Sequence, residues 1–229
     1  MAYYTTTVKP QMTASKMALG AYAAEDVLFG WTEITLPARG TLKLTNIAIV
    51  LRGADGARQE IAMDLIFSTK NTYTFVEHAT SRIYPNNDMI GNWYIDAKHY
   101  GDTVDYFSIG NTTTTNNGLM IPGQSNGKIY VAGMCGVGMT PNLASTLTVN
   151  ESNFGAGTQT VITVADKDVR TVFGVGDVIH AADDAVLGTI KSVDSDTQIT
   201  LTAANTDAIE DDDVLYNINP ITLILGFEK

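Results

Sequence analysis

A chain of 229 residues, 45% hydrophobic and 17% charged, has enough apolar material for one large core or two small ones, which argues against overall disorder. Its net charge of −11 argues against a phosphate-backbone partner, so no nucleic-acid binding is expected. No apolar run reaches the roughly 18–20 residues of a bilayer-spanning helix, and MAYYTTTVKP lacks a basic segment leading into an apolar one, so no membrane association and synthesis in a cytoplasm are expected.

Residues 1–30 are loosely patterned. Tyr3–Val8 is extended by propensity and Pro10 interrupts it. This stretch reads as an extended N-terminal arm that lies on the molecule's own core or on a neighbour. Tyr3, Tyr4, Thr6 and Val8 are its candidate contact residues, the plainer alternative being a frayed terminus. Residues 13–24 suit a short helix, which Gly20 weakens.

Regular strands follow. Residues 31–36 form a short one, ended by Pro37. Residues 41–52 form a long one whose apolar phase slips between Leu44 and Ile47, which predicts a bulge near Thr45-Asn46. Residues 58–67 put Ile61, Met63, Leu65 and Phe67 on one face, and Gly53-Ala54-Asp55-Gly56 stands between the two runs as a turn signal. The expectation is a β-hairpin with one buried face. Residues 71–76, 93–95 and 104–109 suit further strands, and residues 111–118, rich in Thr and Asn, suit an exposed loop. Residues 128–137 read as a strand whose glycines mark close approach by another backbone or a large side chain.

From Thr158 to Ile218 the pattern changes. Twelve Asp and Glu stand against three Lys and Arg, so this stretch carries −9 of the total charge. Five short strands (160–164, 178–180, 186–193, 197–201 and 214–217) are separated by Gly174-Val175-Gly176-Asp177, Asp183-Asp184, Asp194-Ser195-Asp196 and the loop 203–213. That spacing suits a small SH3-like barrel. Residues 221–227 are apolar on both faces and would be hazardous at a sheet edge, so they are expected in the middle of the first module's sheet. The fold expectation is all-β: a β-sandwich or jelly-roll-like main domain (31–150 plus 219–229), with the acidic barrel (151–218) inserted before the last strand.

Reactive chemistry is sparse. His78, His99 and His180 show no metal-ligand spacing, no CxxC is present, and no GxSxG elbow occurs. Gly133–Gly138 lacks the Lys-Ser/Thr of a phosphate loop. The carboxylates at 183–184, 194–196 and 210–213 could supply oxygen ligands, but they lack the calcium-loop pattern and read as solvated turns. The single Cys135 reads as a buried, inert thiol. Trp31 and Trp93 read as packing anchors of a core or an interface. No catalytic, metal or cofactor-binding residue is expected, and no enzymatic activity.

Residues 31–37 (WTEITLP), the hairpin through Leu65, the phrases GVGDVI (174–179) and LGTIKSV (187–193), and the closing PITLIL (220–225) together resemble virion structural proteins of tailed phages, in layout and phrase over most of the chain. The resemblance implies a head decoration, or cement, protein on the exterior of the virion, made in the host cytoplasm. Its implied partners are the major capsid protein and other copies of itself, as a homotrimer at local three-fold positions. The alternative is a receptor- or carbohydrate-binding module of a tail or fibre, suggested by loop 111–118 and by Tyr73, Tyr84, Tyr94, Tyr100 and Tyr106. A hydrolase has only the carboxylates in its favour.

Overall fold

The structure is a computed structural model that describes residues 2–37, 40–52, 60–81, 88–101, 108–113, 118–144, 147–151, 153–165 and 167–229. In chain order its elements are β1 (Tyr3–Val8), α1 (Ala14–Met17), β2 (Val27–Thr35), β3 (Leu42–Leu51), β4 (Met63–Ser68), β5 (Met89–Ile95), β6 (Ser108–Thr113), β7 (Leu119–Ile121) and β8 (Lys128–Cys135). The acidic segment supplies β9 (Val161–Thr163), β10 (Val178–His180), β11 (Val186–Val193), β12 (Gln198–Leu201) and β13 (Tyr216–Asn217), and β14 (Ile221–Glu228) closes the chain.

The protein is all-β, and two antiparallel sheets form its main body. One runs β1-β14-β3-β6, with β7 also pairing β3; the other runs β2-β8-β4-β5. Because β6 and β7 pair successive halves of β3, they occupy one strand position. Numbered by position, the sheets read 1-8-3-6 and 2-7-4-5, which is the strand order of an eight-stranded jelly roll with two Greek keys. The inner faces meet in one core: Leu42, Leu44, Ile47, Ile49 and Leu51 of β3 and Leu223, Leu225 and Phe227 of β14 on one side, and Phe29, Ile34, Met63, Leu65, Phe67, Trp93 and Val131 on the other. Each such side chain contributes about 1.5–3 kcal/mol on leaving water.

Strand β14 lies between β1 and β3, the central place that its two apolar faces demand. The phase slip in β3 is a bulge. Gly226 pairs Asn46 and Phe227 pairs Leu44, so Thr45 is the extra residue, and its hydroxyl donates to the Gly226 carbonyl at 3.1 Å.

The expected hairpin is corrected. β3 and β4 do not pair with each other but stand in opposite sheets and face one another across the core. Both edges of β3 are taken by β14 and β6/β7, and both edges of β4 by β8 and β5. The turn at 53–56 lies outside the described residues. Residues 111–113 are also not loop: they pair Asn46–Ala48 as the end of β6. Residues 71–76 form no strand, whereas the expected strand at 104–109 is described only from Ser108 onward.

The N-terminal stretch lies on the molecule's own core. β1 is the first strand of the jelly roll, held along six residues by β14. Met12, Ala14, Met17 and Tyr22 are buried in the main core around the one-turn helix α1, and Gly20 ends that segment at φ +95°.

The acidic segment occupies the connection between β8 and β14. Its sheet runs β13-β10-β11-β12-β9. Residues 147–149 close it: Val149 bridges Val164 beside β9, and Thr148 bridges Val214 beside β13. The closed barrel has its own core, including Val149, Ile162, Phe173, Ile179, Leu187, Ile190, Ile199, Leu201 and Leu215. Tyr216 and Ile218 belong to the jelly-roll core, so the barrel leads into β14 without a loose linker.

Candidate functional site: the first strand and the seam between the modules

On β1, burial alternates as a strand on a half-covered sheet requires. Tyr4, Thr6 and Val8 turn inward and Tyr3, Thr5 and Thr7 outward. Val8 is buried, Tyr4 packs against the main core, and the Thr6 hydroxyl reaches the Thr35 carbonyl of β2 at 3.5 Å. Tyr3 is 70% exposed. Trp93 is buried in the jelly-roll core. Of the six residues singled out from the sequence, Tyr3 and Trp31 therefore offer side chains outside the core.

Trp31 owes its position to irregular pairing. In β2, Phe29 pairs Gly133 but Thr32 pairs Val131, so the pair Gly30-Trp31 stands opposite one residue. A bulge of this kind re-aims a side chain out of the sheet. The indole Nε1 donates to the Tyr73 carbonyl at 2.9 Å, and the ring meets Phe75 edge-on at 5.0 Å.

The bulge opens onto a cavity of about 560 Å³ at the seam between jelly roll and barrel. Gln11, Met12 and Thr13 line it from the N-terminal segment, Gly30, Trp31 and Thr32 from β2, and Glu77, His180, Asp184 and Ile218 from the remaining walls. This grouping was not legible in the sequence, because its members come from five separated stretches. Asp184 has φ +72°, a left-handed turn conformation that Asp tolerates, and this turn brings its carboxylate to the seam.

Hydrogen bonds tie the seam. Ser15 donates its N–H (2.8 Å) and hydroxyl (2.5 Å) to the two oxygens of Asp184, and the Thr13 N–H donates to Glu77 at 2.7 Å. The His180 ring Nδ1 lies 2.9 Å from the Asp184 carbonyl oxygen. Burial pushes the Asp184 carboxyl up, but the Ser15 donors and the charge of His180 hold it below its ordinary value. Burial raises Glu77, and Asp184 adds repulsion; the Thr13 donors and Lys16 offset part of this. Met12 N–H donates to Ile218 (2.7 Å), Asn219 to Pro10 (3.2 Å), and Arg52 at the end of β3 to the Phe173 carbonyl of the barrel (3.2 Å). Burial lowers the Arg52 pKa, and the charge of Asp177 opposes that.

Other acidic residues have local structural partners. Asp194 accepts from Ser192 (2.7 Å) and Thr200 (2.5 Å), and the Thr200 bond chiefly holds its pKa down. Asp168 caps a short turn and binds Arg170, which lowers its pKa. Among the described residues, no group of three or more His, Cys, Asp or Glu is placed to hold a metal ion. His78, at φ +59°, packs its ring on buried Tyr22 with centroids 4.5 Å apart.

Cys135 is 2% exposed, and burial followed by the charge of Asp26 pushes its thiol up from 9.0 to about 11. The reactive thiolate is therefore scarce at neutral pH. At pH 8 the native protein should leave Cys135 unlabelled by a thiol reagent over hours, while urea-unfolded chain reacts within minutes. Fast labelling of the folded chain would contradict the burial.

No family model, curated protein or solved structure matches the chain. The arrangement itself can hold a ligand in the seam cavity, and it fixes the two modules as one unit.

Proposed function

We propose that this chain is a structural protein of a tailed-phage virion that decorates the outer surface of the head and stabilises it through contacts with the major capsid protein and with copies of itself, as a trimer. The observation that carries this reading is the jelly-roll strand order, with a second, acidic barrel fastened between the last two strands. Jelly rolls recur in viral shells, and that support is analogy at the level of fold. A protein of this kind needs stiffness and surfaces rather than turnover. β1 stands at the end of its sheet order and presents Tyr3, Thr5 and Thr7 outward, a geometry suited to strand-on-strand contact with a neighbour. The barrel carries the excess negative charge, which suits a solvated exterior at high copy number.

Purified chain mixed with undecorated heads should bind in a fixed stoichiometry and raise the temperature at which the heads open. Failure to bind at saturating concentration would reject the reading. The second reading, a carbohydrate-binding module of a tail or fibre, is favoured by one observation: Trp31 lines a ligand-sized cavity, and jelly rolls also occur as lectins. Binding on a glycan array with no binding to heads would select it.

A further inference from the structure

We propose that the seam cavity is a binding site for a small organic cation, a free molecule bearing an alkylammonium or guanidinium group. The site does not depend on the capsid reading. Its volume of about 560 Å³ is that of a small-molecule pocket, and it lies between two modules, where such pockets concentrate.

The chemistry of the walls selects the ligand. Glu77 and Asp184 both line the cavity, close enough for Asp184 to act on Glu77 by repulsion. No Lys or Arg is among the residues lining it. Hydrogen bonds from Thr13 and Ser15 orient the two carboxylates without cancelling their charge, since a carboxylate has about four lone-pair sites. His180 lines the cavity beside Asp184, and Lys16 acts on Glu77 from outside it, so the two carboxylates are partly compensated; a cation placed between them still gains two attractions, and an anion faces both carboxylates.

Trp31 adds the second element. Its one hydrogen-bond donor is already used on the Tyr73 carbonyl, so what it offers the cavity is ring surface. An indole is the best aromatic partner for a cation. A neutral sugar would donate hydroxyls to the carboxylates and stack on the indole, but an ammonium or guanidinium group makes the same contacts and adds the charge attraction. All of the lining residues come from one chain, so the site is complete without a second protein, and the occupant assigned to it is a free molecule.

The chain's two tryptophans make the test direct. Trp93 is buried in the core, so a ligand in the cavity changes fluorescence through Trp31. Full-length protein is titrated with agmatine, choline, N-acetylglucosamine and a capped Gly-Arg-Gly peptide, with calorimetry in parallel. Agmatine or choline should bind saturably, and raising the salt should weaken that binding. Glu77→Gln, which keeps an acceptor for Thr13, should weaken it at least tenfold, whereas Lys191→Gln, on the barrel and away from the cavity, should not.

Saturation by N-acetylglucosamine to an equal degree, salt-independent binding, or no binding of either cation would each overturn the proposal. Tighter binding of the peptide than of agmatine would overturn the assignment to a free molecule. If Glu77→Gln does not fold, the salt series and the neutral ligand on the unmodified chain still decide.

Discussion

Replacing Gly133 with alanine should destabilise the jelly roll by about 2 kcal/mol, lowering the melting temperature by roughly 4–8 °C. In an ordinary strand the same change is favourable by about 0.5–1 kcal/mol, because glycine has more backbone freedom to lose. Local packing reverses the sign here. Gly133 lies in β8 between β2 and β4, paired with Phe29 on one side and Leu65 on the other. A methyl group at position 133 would stand 2.6 Å from Cζ and 2.9 Å from Cδ1 of Phe29, closer than real contacts allow. Phe29 is fully buried in the core, so its ring has nowhere to retreat. Gly133→Val should cost more than the alanine.

A double-mutant cycle identifies the cause. Phe29→Leu alone should destabilise by opening a cavity. Combined with Gly133→Ala it should cost less than the sum of the two by at least about 1 kcal/mol, because the added methyl then occupies vacated space. Thermal melting followed by near-ultraviolet circular dichroism reads all four proteins. Strict additivity, or an alanine variant as stable as the parent, would refute the close approach.

This glycine shows what was legible in the sequence. A glycine within a β pattern signals that something large lies against the strand, but periodicity does not name the partner. The same division runs through the fold. Alternation showed which face of 42–51 and of 63–67 is buried, and the slip at Thr45 located a bulge that the pairing confirms. Alternation is silent about which sheet a strand joins, and a Gly-Ala-Asp-Gly turn signal suits a tight hairpin or a crossing between sheets equally well. β3 and β4 therefore read as partners when they face each other across the core.

The barrel was easier to read. Three of its five strands, β10, β11 and β12, are consecutive neighbours, so local turn chemistry suffices for them, while β9 and β13 join from farther along the chain. The seam cavity was not legible. Gln11, Trp31, Glu77, Asp184 and Ile218 share no spacing; the bridge from Val27 to Glu77, the bonds from Ser15 to Asp184 and the return of β14 beside β1 bring them together. Asp177 shows the same limit at one residue: it read as the end of a glycine turn, and Gly176 does take φ +85°, but the role of its side chain comes from residues far away in sequence.

The buried Asp177 carboxylate ties the barrel's Gly174 turn to β13 and, through Lys9, to the jelly roll. Its side chain is 3% exposed and accepts from Lys9 Nζ at 2.8 Å, the Gly174 N–H at 2.8 Å and the Asn217 amide at 2.9 Å. Lys9 comes from the segment after β1, Gly174 from the barrel's turn and Asn217 from β13, just before β14. Asp177→Ala leaves buried donors without an acceptor, each costing about 1–3 kcal/mol. The Asn217 amide keeps a second acceptor, the Val172 carbonyl at 2.6 Å, which limits its share. The expected loss is about 3 kcal/mol, a fall of roughly 6–12 °C in melting temperature. Asp177→Asn retains one acceptor oxygen and should lose about half as much. Lys9→Met should cost at most about 1 kcal/mol, because Lys9 is 40% exposed and water already screens its side of the pair. Hydrogen exchange gives a second readout: the Gly174 amide should exchange much faster in Asp177→Ala, while amides in the centre of β3 slow or speed only with global stability. An alanine variant within about 0.5 kcal/mol of the parent, with Gly174 still protected, would mean that the turn is held by other bonds and that the modules are joined by the contacts of Ser15 with Asp184 and of Arg52 with Phe173 rather than by this carboxylate.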